Sequence, residues 1–227
     1  MPAYEVEEQT GLAYIVQPMW RDGGMAKTAA NAPVTVVPGG DSYLNGMRTK
    51  ELCSQALQAR PDAELIELDA TSADQYAFDE AVSPSLLSDT AVVKIINLQN
   101  ADEKFAETLV SYTKQAAKDP NGSSIVICQH EGGVKGRKII DQLTKAGARK
   151  VDVPDLKKPD AQLNFVLGEF EKRGRRVEPM AAQQLVSVLG GKTGELAAMC
   201  EQLCFDFEDN PIGLDRANQY LTANPQI

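Results

Sequence analysis

An α/β fold built on a five-stranded parallel sheet, with a small all-helical unit behind it, is the architecture this sequence predicts. Three observations carry it. Five short strand-like runs, at 34–37, 64–68, 91–96, 124–128 and 150–153, alternate with helical patterns, the sequence rhythm of a doubly wound parallel sheet covered on both sides. The third run, AVVKII, is apolar at every position but Lys94, as a strand buried on both faces requires. After residues 154–159 the strand pattern stops and only helical periodicity remains.

The elements follow in order. Residues 1–32 hold scattered apolar residues without a period, including Trp20, and are expected to form a flexible leader. Val34-Thr35-Val36-Val37 is a β-branched first strand. The turn Pro38-Gly39-Gly40-Asp41-Ser42 leads into a helix capped by Asp41 or Ser42, with Leu44, Met47 and Leu52 within one half of it. A second strand at 64–68 and a short helix at 74–81 come next. Residues 102–118 form an amphipathic helix, with Phe105, Leu109, Tyr112 and Ala116 at i, i+4, i+7 and i+11. Strand four at 124–128 is followed by a turn through Gly132 and Gly133, then by a helix carrying Ile139, Ile140 and Leu143 and closed by Gly147. Strand five ends the sheet. Helices are then expected at 161–173, 179–189, 193–205 and 214–221. Pro179 suits a first helical position, and Leu196, Met199, Cys200, Leu203 and Phe207 make an apolar stripe. The predicted division is 1–32 leader, 33–156 α/β domain and 157–227 helical domain.

The stretch SPSLLSDTAVVKIIN, residues 83–97, organises the rest. Pro84 breaks the preceding helix. Two adjacent leucines, Leu86 and Leu87, then sit between polar residues just before the most apolar strand. Successive helical residues point about 100° apart, so adjacent leucines do not both face one core. Either both pack under a loop, or one protrudes as a docking knob.

Several chemistries are poorly served. A phosphate cradle needs glycines at the bend, a Lys for charge and a Ser or Thr for magnesium. The first turn reads PGGDSYLNGMRTKEL, with Asp41 where phosphates would lie and no Gly-Lys-Ser or Gly-Lys-Thr. Asn97-Leu98 ends strand three where a magnesium-binding carboxylate would stand. His130, the single histidine, could act as a base, but no nucleophile motif accompanies it. Cys53, Cys128, Cys200 and Cys204 lack C-x-x-C spacing and are expected to be reduced thiols of a cytoplasmic protein. No metal, no cofactor and no catalytic site are expected. No apolar run approaches the ~20 residues of a membrane span, and MPAYEVEEQ does not read as a secretory signal.

The net charge of −9 argues against an indiscriminate nucleic-acid binder. Yet residues 131–176 hold twelve cations against seven acids, +5 locally, leaving −14 for the remainder. Within this island Lys135, Arg137, Lys138, Arg173, Arg175 and Arg176 are candidates for contact with DNA or an acidic partner.

With these parts placed, the chain resembles the delta subunit of the bacterial DNA polymerase III clamp loader. VTVVPGGDSYLNGMRTKEL is similar to that family's first strand and degenerate nucleotide turn, and SPSLLSDTAVVKI to its clamp-binding segment. GGVKGRKIIDQLTKAGARKVDVPDLKKPD resembles the segment from fourth helix to linker, and RRVEPMAAQQLVSVLGGKTGELAAMCEQL the helical lid. The resemblance covers about residues 33–222. It implies a P-loop-NTPase-like (AAA+) fold without ATPase function, in a subunit of a DNA polymerase holoenzyme that binds and opens the sliding clamp. The implied partners are the clamp, other loader subunits and, weakly or indirectly, DNA. The family's Leu-Phe clamp-binding pair falls on Leu86 and Leu87, with Ser85 shaping the turn; Leu replaces Phe at the second position. A nucleotide-sensing Arg of many AAA+ lids is replaced here by Gly194. The family's helical collar domain would begin where this sequence ends at Ile227, so the chain is expected to lack it or to be a fragment. Two rivals remain: an active AAA+ ATPase with an unusual phosphate loop, and a doubly wound small-molecule enzyme with a pocket near Asp69, Asn97 and His130.

Overall fold

The computed structural model describes residues 32–86 and 88–223; the leader before Ala32, Trp20 included, and Leu87 lie outside the described residues. The chain divides into two compact units, and the division falls between Pro154 and Asp155.

The first unit is a three-layer sandwich. Strands β1 (Val34–Pro38), β2 (Glu64–Asp69), β3 (Ala91–Ile96), β4 (Ile125–His130) and β5 (Arg149–Lys150) form one parallel sheet in the order β2-β3-β4-β1-β5. Alternation sorts the side chains. Val34, Val36, Val93, Ile95, Val126 and Cys128 face a core shared with helices α2 (Gln75–Val82), α3 (Glu103–Ala116) and α4 (Arg137–Ala146). Val37, Val92 and Ile127 are buried outside that core, on the side where α1 (Ser42–Ala59) packs through Leu44, Leu52, Cys53 and Ala56.

Helix starts obey local chemistry. Asp41, Asp74 and Asp102 each cap a helix by accepting the N–H three residues on, at 3.1, 2.9 and 2.7 Å. Gly147, at φ 111°, closes α4 in the left-handed region. Lys94, the one polar residue of β3, reaches Glu67 directly opposite on edge strand β2, at 2.8 Å.

Two sequence expectations change, and one element is added. Met47 is exposed, because α1 turns it to solvent while Leu44 and Leu52 face inward. Strand β5 pairs only at Arg149–Lys150; Val151 and Val153 are buried, but only the Val151 N–H continues to Val36 O, at 2.9 Å. A 3-10 turn at Leu98–Asn100, not foreseen, follows β3, where Asn97 takes a left-handed conformation at φ 56°.

The second unit holds α5 (Pro159–Glu171), α6 (Pro179–Leu189), α7 (Thr193–Asp206) and α8 (Leu214–Ala223). Val166, Phe170, Ala182, Leu185, Leu196, Cys200, Leu203 and Ala217 are buried in it. Of the predicted α7 stripe, Leu196, Cys200 and Leu203 are fully buried, whereas Met199 and Phe207 stay half-buried. Among the described residues no helix is long and apolar enough to cross a membrane.

Candidate functional site

In a parallel sheet all strand starts share one edge and all strand ends the other. The loop at residues 83–90 precedes β3 and lies at the starting edge; the Gly39-Gly40 turn follows β1 and lies at the opposite edge. These two places carry the chemistry.

The loop is pinched shut. The Ser85 N–H donates to Ser88 O at 2.8 Å, and the Ser88 N–H returns to Ser85 Oγ at 3.1 Å. Ser88 Oγ then donates to Thr90 O at 2.6 Å and accepts from the Thr90 N–H at 3.3 Å. Leu86, at the tip, is 105% exposed. Of the two readings of the leucine pair, protrusion holds for Leu86. A groove of about 730 Å³ beside it is lined by Arg60, Pro61, Asp62, Asp89, Asn121 and Gly122, among others.

A residue not singled out from the sequence fixes both ends of this loop. Ser124 is buried just before β4; its hydroxyl donates to Val82 O at the end of α2 (3.1 Å) and accepts from the Ala91 N–H at the start of β3 (2.9 Å). Its own carbonyl accepts from Tyr112 Oη at 2.7 Å. The Tyr112 ring meets Phe78 edge-on at 5.5 Å, and burial pushes its phenol up to about 12. Arg60 donates to Ser123 O (2.5 Å) and Pro120 O (2.8 Å), tying the turn before Ser124 to the end of α1. No sequence spacing reveals the clasp, because Ser124 stands 33 and 42 residues from its partners.

At the opposite edge the phosphate-type turn is filled by the protein itself. The Gly39 N–H donates to His130 O at 2.8 Å, the Asp41 N–H to Pro154 O at 2.9 Å, and the Leu44 N–H to Asp41 Oδ1 at 3.1 Å. Asn45, 2% exposed, points its amide at Gly39 O (2.8 Å), His130 O (3.1 Å) and Val37 O (3.3 Å). Gly40 takes φ 80°, and a Cβ there would stand 2.5 Å from Val153 O. The Gly39, Asp41 and Leu44 amides of this turn already have acceptors within the protein, and the Asp41 carboxylate occupies the positive end of α1.

The rival small-molecule constellation is likewise spent on structure. Asp69 accepts from Asn97 Nδ2 (3.0 Å) and from the Thr71 N–H (2.9 Å), the second bond being the main cause holding its carboxyl below the usual range. His130 is fully buried. Its Nδ1 accepts from the Gly132 N–H at 2.9 Å, which leaves the proton on Nε2, 3.0 Å from Lys135 O. Burial lowers its pKa, so it is held neutral.

The basic candidates divide. Arg137 and Lys138 are exposed at the start of α4, and Lys135 donates to Asn100 Oδ1 at 2.5 Å. In the helical unit Arg173 pairs with Glu169 at 2.9 Å, and Arg175 donates to the carbonyl of Cys204 in the last turn of α7 and to those of Phe207 and Asp209 beyond it. Both guanidinium groups are engaged in internal bonds, whereas the Arg176 side chain is exposed.

These features define an α/β protein with a five-stranded parallel sheet, a turn after β1 filled by its own side chains and a protruding apolar tip at the other sheet edge. The fold is similar to that of the DNA clamp loader delta protein (YqeN) of Bacillus subtilis, with a TM-score of 0.57 and 18% identity, covering 82% of this chain and 57% of that one. It is also similar to the RuvB Holliday junction branch migration motor of Thermotoga maritima, with a TM-score of 0.50 and 10% identity over 86% of this chain and 65% of that one. A RuvB mutant from the same organism gives a TM-score of 0.51 at 11% identity, over 84% and 62%. The chain therefore spans less than two thirds of the length of each. No protein-family model matches the sequence, and no curated protein matches it.

Proposed function

We propose that this chain is a clamp-loader subunit of the bacterial replicative DNA polymerase, which binds the sliding clamp through Ser85, Leu86 and Leu87 and opens it so that DNA can enter. The observation that carries the reading is Leu86, fully exposed at the tip of a loop pinned at both ends. Its support is the likeness in fold to a clamp loader delta protein. An exposed leucine on a loop held at both ends suits a hydrophobic pocket on a partner, because hydrogen bonds already made at the loop's ends reduce the ordering that docking requires. The mechanism has no covalent step: binding energy stabilises the open ring to the extent that the chain prefers it over the closed one. A turn already filled by Asn45 and Asp41 fits a subunit that does its work without nucleotide. Other loader subunits are the further partners, and Lys135, Arg137, Lys138 and Arg176 are the cations left to meet DNA weakly.

The test is surface plasmon resonance of the purified chain against the sliding clamp of the same organism, beside Leu86→Ser and the Leu86→Ser/Leu87→Ser pair. Burying Leu86 fully is worth about 1.5–3 kcal/mol, so its loss should weaken binding roughly 10- to 150-fold. Equal binding by wild type and both variants, with the fold intact by circular dichroism, would remove this site from the reading.

A further inference from the structure

One groove of the first unit takes no part in the reading so far. It lies between α3 and α4 and has a volume of about 560 Å³. Buried Leu98 and Ile139 and half-buried Ala106 and Val110 line it, together with Glu103 and Glu107 from α3 and Lys138 from α4. The groove has a direction. Helix α3 precedes β4 and α4 precedes β5, so both finish at the starting edge of the sheet. Lys114, in the last turn of α3, lines that end, and Leu98 and Gly136 line the other. From Glu103 to Lys114 the helical rise covers about 17 Å.

Two observations bear on what covers it. The first is where the chain before β1 arrives. The Val126 N–H donates to Pro33 O at 2.7 Å, which fixes the entry to β1 beside the start of β4, at the edge where α3 and α4 finish. Helix α4 packs on β1 itself. The second is composition. Leu12, Tyr14, Ile15, Val16, Met19 and Trp20 put six large apolar side chains into nine residues. Residues 21–32 join this cluster to Pro33, and twelve residues span at most about 40 Å, more than twice the length of the groove. A segment on such a tether is held near the groove at an effective concentration in the millimolar range, so a weak contact is enough to make it the occupant ahead of a free protein.

We propose that residues 12–20 of this chain dock in the groove between α3 and α4, with Trp20 toward the Lys114 end and Leu12 toward Leu98. The occupant is a segment of the chain itself, and the proposal stands apart from the clamp-docking reading. The groove carries charges of both signs, so the apolar floor of Ala106, Val110 and Ile139 provides the contact. A buried indole N–H needs an acceptor, and Ser111 and Gln142 line the groove with side-chain oxygens.

Trp20 is the single Trp of the chain, so tryptophan fluorescence reports on this segment alone. The experiment records emission and acrylamide quenching for the whole chain, for a synthetic peptide of residues 10–22, and for the whole-chain variants Val110→Lys, Ser111→Arg/Gln142→Arg, Met180→Lys and Phe205→Lys, with circular dichroism as the check on folding. Wild-type emission should be blue-shifted from that of the peptide, and its quenching weaker. Val110→Lys should return both to the peptide values. Ser111 and Gln142 are exposed, so the second variant gives the same reading if Val110→Lys disturbs the fold. Met180 and Phe205 are exposed apolar residues of the helical unit, and their variants should leave Trp20 as in wild type. Peptide-like emission from the wild-type chain would overturn the proposal. So would protection of Trp20 that survives both groove variants, or that is lost instead in Met180→Lys or Phe205→Lys.

Discussion

Replacing Ser124 with Ala is the most informative single change away from the tip. One hydroxyl holds Val82 O and the Ala91 N–H, at 3.1 and 2.9 Å, and so closes the base of the loop between them. The Ala91 amide is buried with this oxygen as its acceptor. Leaving a buried donor unpaired costs about 1–3 kcal/mol, and the lost hydroxyl–carbonyl bond about 0.5–1.5. Ser124→Ala should therefore destabilise the first unit by about 2–4 kcal/mol in urea unfolding. Part of that loss should be local. Hydrogen exchange at Ala91 should accelerate more than exchange in β1, because the defect opens the loop before it opens the sheet. Under the proposed role, clamp affinity should also fall, by roughly three- to tenfold, since binding must then order a loop whose ends are no longer held. A purely structural serine would behave otherwise: stability would fall, but the folded fraction would bind with the wild-type Kd. That result, together with unchanged relative exchange at Ala91, would refute the clasp.

Two other outcomes follow from the opposite sheet edge. Asn45→Ala removes the donor shared by the Val37, Gly39 and His130 carbonyls, so unfolding should show a loss of about 2 kcal/mol or more. The single histidine gives an unobstructed titration. His130 should titrate in the folded chain below its ordinary 6.5, because burial disfavours the imidazolium. As its folded value lies below the unfolded one, its contribution to stability is complete above about pH 6.5 and is lost as pH falls through the folded value. A midpoint at or above 6.5 by NMR would mean that the ring reaches water.

The sheet was legible because its signals are periodic. Alternating apolar runs, the cap at Asp41 and Gly147 at the end of α4 all act within a few residues of themselves. Where the sequence misled, the cause was distant. Residues 150–153 read as a strand from their β-branched pattern, but Arg149 and Lys150 alone find ladder partners on β1. Met47 fits an apolar half-helix on paper, yet the sheet lies under Leu44 and Leu52 instead. The protruding Leu86 was legible as a contradiction: an apolar pair set among serines, next to a breaker. Its mount was not, since Ser124, Tyr112 and Arg60 reach it from other elements. The phosphate turn was legible only negatively, as a missing lysine. That Asn45 fills the bend with its own amide is visible only once β1 and β4 are neighbours.

The two sheet edges bear on each other in the proposed role. A protein that opens a ring by binding alone can spend on it only its preference for the open state. Any slack between the tip and the body of the sheet would let the tip follow the closed ring, and that preference would shrink. Rigidity at the tip is therefore part of the mechanism, and three groups contribute to it: the Ser124 clasp, the Phe78–Tyr112 contact beneath α2, and β3 itself. An exchangeable nucleotide at the far end of the same sheet would work against this, because each binding event would rearrange the turn between β1 and α1. Filling that turn with Asn45 and capping it with Asp41 removes the adjustable part. On this argument, substitutions that loosen Asn45 should be felt at the clamp as well as in stability, but more weakly than Ser124→Ala, because the turn and the tip are separated by the ~20 Å length of β3.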